Sequence, residues 1–118
     1  MQLEDYFEFE TTRIEPFGDV ETIRLKGTRI GLEFIVNPYL QGESPERIYH
    51  GYRHSLSLEQ VYGAITYYLH NKPKIEAYLN RGKEIEDYHY QEYLKKGPSA
   101  AVQRLRALKA ASNGASAS

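Results

Sequence analysis

The chain has 118 residues, of which 41% are apolar and 26% charged, with a formal net charge of −1, the size and make-up of about one globular domain with tails. It contains no cysteine, which excludes disulfides and thiolate chemistry and fits a reducing compartment. Its apolar runs fall far short of the roughly 20 residues a membrane helix needs, and the acidic start Met1-Gln2-Leu3-Glu4-Asp5 is unlike a secretory signal, so a cytoplasmic protein with no membrane partner is expected.

Charge is unevenly spread. Residues 1–27 hold seven acids and three bases, residues 28–72 hold four of each, and residues 95–118 hold five bases and no acid. An acidic head and a basic tail suit different partners, or simply keep both ends solvated.

Tyr6-Phe7-Glu8-Phe9-Glu10-Thr11 alternates aromatic and acidic residues, and Thr22-Ile23-Arg24-Leu25-Lys26 alternates again; period two predicts half-buried strands. Pro16-Phe17-Gly18-Asp19 supplies the turn, so the two strands are read as an irregularly connected hairpin. A lone hairpin is marginal in water and needs a partner surface. The first helix is expected from about Gly31 to Gln41 on the spacing of Leu32, Ile35, Val36 and Tyr39, with a kink or a late start because of Pro38, and Gly42 as its stop. Ser44-Pro45-Glu46 opens a second helix: an N-cap serine, proline at the first position and an acid in the first turn. Ser57-Leu58-Glu59-Gln60 is a capping box, with Leu56 and Val61 placed to form a hydrophobic staple. In this third helix Leu58, Val61, Ala64, Ile65 and Tyr68 form the expected core stripe, which leaves Glu59, Gln60, Gly63, Thr66, Tyr67 and His70 outward. Pro73 restarts the chain as a helix reaching about Lys96, weakened at Gly82 and broken by Gly97-Pro98. Val102, Leu105 and Leu108 predict a basic amphipathic helix over 100–111, and the end from Ser112 is expected to be disordered.

The resulting fold class is mainly α: a three-helix, helix-turn-helix-like bundle preceded by an N-terminal β-hairpin and followed by a C-terminal helix. The chain divides into a hairpin at 1–27 expected to dimerise, the three-helix domain at 28–72, a helical extension at 73–97 and a basic, partly disordered tail at 98–118.

Three runs carry a family resemblance: Arg24-Leu25-Lys26-Gly27-Thr28-Arg29-Ile30-Gly31, Gly42-Glu43-Ser44-Pro45-Glu46-Arg47-Ile48 and Ser57-Leu58-Glu59-Gln60-Val61-Tyr62. In this order, across roughly residues 24 to 70, they resemble the signature of the domain-of-unknown-function family numbered 433. The resemblance implies a homeodomain-like, helix-turn-helix fold and an antitoxin that pairs with a PIN-type ribonuclease toxin and represses its own operon. The chain departs from the usual pattern at Asn37-Pro38, at Arg53, where proline is common, and at Gly63, where alanine is usual. The loop from Arg53 to Ser57 is also longer than a typical helix-turn-helix turn.

On this reading the third helix faces the major groove of the operator. The DNA-contacting candidates are Arg29, Arg47, Arg53, Glu59, Gln60, Thr66, Tyr67 and His70, with Gln60 suited to adenine and Thr66 to a base or phosphate. No Lys or Arg lies between Leu58 and His70, so phosphate neutralisation has to come from Arg29, Arg47, Arg53, Lys72 or the tail. Arg104, Arg106 and Lys109 of the tail are the candidates for toxin binding, as an arm that folds on its partner. A homodimer is expected. A different reading is a small non-enzymatic interaction module without DNA affinity, since eleven tyrosines are many for so short a chain and aromatic residues favour interfaces. Glu46, His50 and His54 recur at steps of four, a spacing able to align metal ligands, but Gly51 and the turn near Arg53 are expected to end the helix before His54, so no metal site is assigned. No phosphate loop, nucleophile elbow or zinc-helix motif is present. No enzymatic activity and no cofactor are expected.

Overall fold

The computed structural model describes residues 1–97 and 99–117, with 112–117 described by their backbone alone. Two compact units partition it, Met1–Arg81 and Gly82–Ser118.

In the first unit a short 3-10 turn at Leu3–Tyr6 leads into β1 (Phe7–Ile14), which pairs antiparallel with β2 (Gly18–Leu25) from Phe7↔Leu25 to Ile14↔Gly18. Both strands are longer than their alternating cores suggest, and they are joined over residues 15–17 with a cis Glu15-Pro16 bond. Phe7, Ile23 and Leu25 are buried, as period two requires. The outer edge of β2 is covered. Leu25 N–H donates to the Ile30 carbonyl at 2.9 Å and Leu32 N–H donates to the Ile23 carbonyl at 2.8 Å, around an isolated bridge between Arg24 and Gly31.

Three helices follow: α1 (Glu33–Leu40), α2 (Pro45–Tyr52) and α3 (Leu58–His70). The late start expected from Pro38 is not seen: regular helix begins at Glu33, after a tight turn in which Ile35 N–H reaches Leu32, and Pro38 lies inside the helix, with no amide to bond back to Phe34. Gly42, at φ +99°, ends it, a backbone conformation that a Cβ would strain. Ser44 caps α2 by accepting from Arg47 N–H at 3.2 Å, and the Ser57–Gln60 capping box on α3 is fully formed, at 3.1 and 2.8 Å. The core draws on every element up to Ile75. Leu32, Ile35, Val36, Ile48, Leu56, Val61, Ala64, Ile65, Tyr67, Tyr68 and Ile75 pack with Phe7, Ile23 and Leu25.

Helix α4 (Lys72–Lys96) starts one residue after the α3 C-cap Asn71, with Pro73 in its first turn, where a missing amide costs nothing. Its residues up to Arg81 belong to the first unit. There the half-buried Tyr78 hydroxyl accepts from Ile23 N–H at 3.3 Å and donates to Glu33 at 3.0 Å. Loss of solvent around it pushes this phenol well above its ordinary value; the Ile23 backbone bond is the next-largest effect and opposes the shift, and the Glu33 charge and hydrogen bond, with the Glu21 charge, add to it.

The second unit holds the remainder of α4 and α5 (Ala100–Ala117). Tyr88, Tyr90, Tyr93, Leu94, Leu105 and Leu108 are exposed there. Helix α5 runs on through 112–117, the stretch for which the sequence predicts disorder. Ser118 and Pro98 lie outside the described residues. Among the described residues no helix is long and apolar enough to cross a membrane.

Candidate functional site

A helix packed on one side only shows a single buried stripe. Helix α3 is packed on two. Val61, Ala64, Ile65 and Tyr68 face the other helices as expected, but Gly63 and Tyr67 are buried as well. At about 100° per residue the buried arc covers roughly 200° of the helix. The hairpin and the 3-10 turn close the second side. The Tyr67 ring lies 4.8 Å from that of Phe7 and 6.3 Å from that of Phe9, and Lys74 Nζ donates to the Tyr67 hydroxyl at 3.3 Å.

Three sequence-based assignments are corrected by this packing, the first being Gly63, placed outward but buried against the Tyr6 ring. Tyr67, placed outward as a DNA contact, is 2% exposed and belongs to the core between β1 and α3. Leu58, placed in the core stripe, is 38% exposed, because the Ser57 cap turns the first residue of the helix toward solvent while Leu56 and Val61 fill the space beneath.

The remaining candidates on α3 are partly committed to the fold. The Gln60 side-chain oxygen accepts from Ser57 N–H in the capping box, so only its amide nitrogen is left to reach a base. Glu59 accepts a hydrogen bond from the Tyr6 hydroxyl, and that bond raises the Tyr6 phenol above its ordinary range. Thr66 is half-buried and His70 is exposed at the last turn. The face that α3 turns to solvent therefore carries Leu58, Tyr62 and Leu69, exposed at 38, 42 and 45%, beside Glu59, Thr66 and His70. Tyr62 joins this face to α2 by donating to the Glu46 carboxylate. That bond holds the Glu46 carboxyl below, and the Tyr62 phenol above, their usual values.

The three arginines lie around this helix in sequence rather than on it. Arg29 is exposed in the connection between β2 and α1. Arg47 projects from α2, with Nε 3.8 Å from Glu43, a solvated pair that holds it weakly. Arg53 caps the end of α2, its guanidinium 3.0 Å from the His50 ring. In the second unit Arg104, Arg106 and Lys109 are exposed on α5.

The spaced Glu46, His50 and His54 do not converge. Helix α2 ends at Tyr52, Glu46 is bonded to Tyr62, and His50 lies against Arg53. Among the described residues no three potential metal ligands come together. Sequence spacing did not reveal the Tyr6–Glu59 and Tyr62–Glu46 bonds, because the partners of each lie at least sixteen residues apart.

Residues 22–68 match the model of a family described as "Protein of unknown function (DUF433)". The matched stretch runs from within β2 through α1 and α2 to near the end of α3. Neither the curated proteins nor the solved structures contain a match to this chain.

Proposed function

We propose that this chain is a non-catalytic, antitoxin-like regulator that binds its own operator through the α1–α3 unit and a PIN-type ribonuclease toxin through its basic C-terminal helix. The observation that carries the reading is the coincidence of the family match at 22–68 with the capped three-helix segment. Two capped helices, α2 and α3, in direct succession are the parts a helix-turn-helix uses to lay its second helix in a groove.

In this reading Arg29, Arg47 and Arg53 supply the phosphate contacts and Thr66, His70 and the Gln60 amide the contacts to bases. Tyr67 has no part in it, being buried. The exposed Arg104, Arg106 and Lys109 meet acidic surface on the toxin. The protein acts as a dimer. A gel shift at low salt with the DNA upstream of its own reading frame tests the first half. Capture of a nuclease-like protein encoded by the neighbouring gene tests the second.

A specific observation favours a second reading. The solvent face of α3 carries Leu58, Tyr62 and Leu69 and no cation from Leu58 to His70. Such a face suits a protein partner better than a polyanion. No DNA shift, together with a partner lost on Tyr62→Ala, selects this interaction-module reading.

A further inference from the structure

The two edges of the hairpin are unlike. Ile23 and Leu25 of β2 turn their backbone groups away from β1, and those groups are taken by Leu32, Ile30 and Tyr78. Register then fixes β1. Phe9 lies opposite Ile23, with Thr11 and Arg13 two and four residues on, so these three direct their amides and carbonyls outward on the other edge. Among the described residues nothing bonds to them. Thr11, Thr12 and Arg13 are exposed, and β1 carries no proline or bulge to close the edge. An open strand edge of this kind is a template for another strand.

We infer that β1 pairs antiparallel with β1 of a second copy of this chain, about a two-fold axis at Thr11. Charge chooses the occupant and the register. With the axis at Thr11, Thr11 faces Thr11, Phe9 faces the partner's Arg13, and Glu10 faces the partner's Thr12. All three open residues are then paired, and each pair exchanges two backbone hydrogen bonds. A threonine pair and an arginine beside an aromatic ring are both favourable across strands. An axis at Glu10 sets Glu10 against Glu10, and an axis at Phe9 sets Glu8 against Glu10 twice; like charges directly opposite are unfavourable. An axis at Thr12 leaves Phe9 opposite Glu15, beyond the end of the strand. The pairing joins the hairpins into one four-stranded sheet. It deepens the dimer in the function proposed above but does not depend on DNA binding.

The absence of cysteine makes a direct test available. Thr11→Cys places two thiols across the axis at a Cα separation of about 5.5 Å, within disulfide reach. Arg13→Cys leaves its own copies four residues out of register, roughly 13 Å apart along the strand. Under mild oxidation without DNA, the expected result is a disulfide dimer for Thr11→Cys and none for Arg13→Cys. Thr11→Pro removes only an outward amide, which a strand edge tolerates. It is expected to keep the circular dichroism and melting temperature of the parent while weakening self-association about tenfold or more, as read by sedimentation. A monomeric parent at high concentration, equal cross-linking of the two cysteine variants, or unchanged association of a folded Thr11→Pro overturns the pairing.

Discussion

The Tyr6 ring lies flat enough on α3 to require glycine at position 63: a Cβ there would stand 2.8 Å from Tyr6 Cδ2 and 2.9 Å from Cε2. The same ring is anchored at its far end, where its hydroxyl donates to Glu59 one helical turn earlier. Gly63 is thus the seat of the N-terminal turn on the third helix, not a weak point in an exposed helix.

Gly63→Ala accordingly tests a sign. In an open helix the change stabilises by about 1 kcal/mol through propensity. Here the ring must move against its Glu59 anchor, and overpacking costs about 1–3 kcal/mol. The expected outcome in chemical denaturation is a net loss of about 1 kcal/mol. In a Tyr6→Ala background the same substitution is expected to stabilise, so the double-mutant cycle shows strong coupling.

Val61 and Leu58 lie three residues apart on α3 but differ in burial, at 0% and 38% exposed. Val61→Asp strands an unpaired charge in the core and is expected to unfold the unit. Leu58→Asp adds an acid to the first turn, where the helix dipole favours it, and is expected to change stability by less than about 1 kcal/mol. Thermal melts of the two variants check both.

Removing the Ser57 side-chain cap leaves the Gln60 N–H without its partner at 3.1 Å. Ser57→Ala is expected to cost about 1 kcal/mol. Gln60→Ala in that background is expected to cost little more, because the two bonds form one reciprocal box. Urea midpoints of the single and double variants read the difference.

Tyr78 links α4 to β2 and α1, and its phenol is raised above the ordinary value. A folded-state value above the unfolded one, about 10, means that the folded chain holds the proton longer. The resulting stability is complete below about pH 10 and is lost as pH rises above it. Tyr6, Tyr62 and Tyr68 are raised too and act with the same sign. Stability measured across this range is expected to fall steeply on the alkaline side. Tyr78→Phe is expected to make that fall shallower by about one proton, at a cost near pH 7 of about 1–3 kcal/mol for the bonds it removes.

What was legible in the sequence was local. Ser44-Pro45, the Ser57–Gln60 box and the Ile23–Leu25 alternation are written within four residues of where they act, and each stands where it was expected. Tyr67 was misplaced for a non-local reason. A one-sided stripe is the default for a short helix, and only the return of Phe7 and Phe9 across sixty residues of chain buries the second side. Leu58 followed the same periodicity and failed at the helix start, where the cap sets the direction of the first side chain. Of the candidate site, the arginines and the missing cations of α3 could be read directly. The commitment of Gln60 and Glu59 to intramolecular bonds could be read only in part, since the box is local but the Tyr6 bond is not.

The most direct measurement is the salt dependence of binding to a duplex from upstream of the chain's own reading frame, followed by fluorescence anisotropy between about 50 and 200 mM salt. If Arg29, Arg47 and Arg53 each meet a phosphate, the logarithmic slope is expected to be about −3 per protomer and to fall by about one for each arginine changed to alanine. Binding absent at the lowest salt, or a slope unchanged when all three arginines are replaced in a folded protein, would contradict DNA recognition by the three-helix unit.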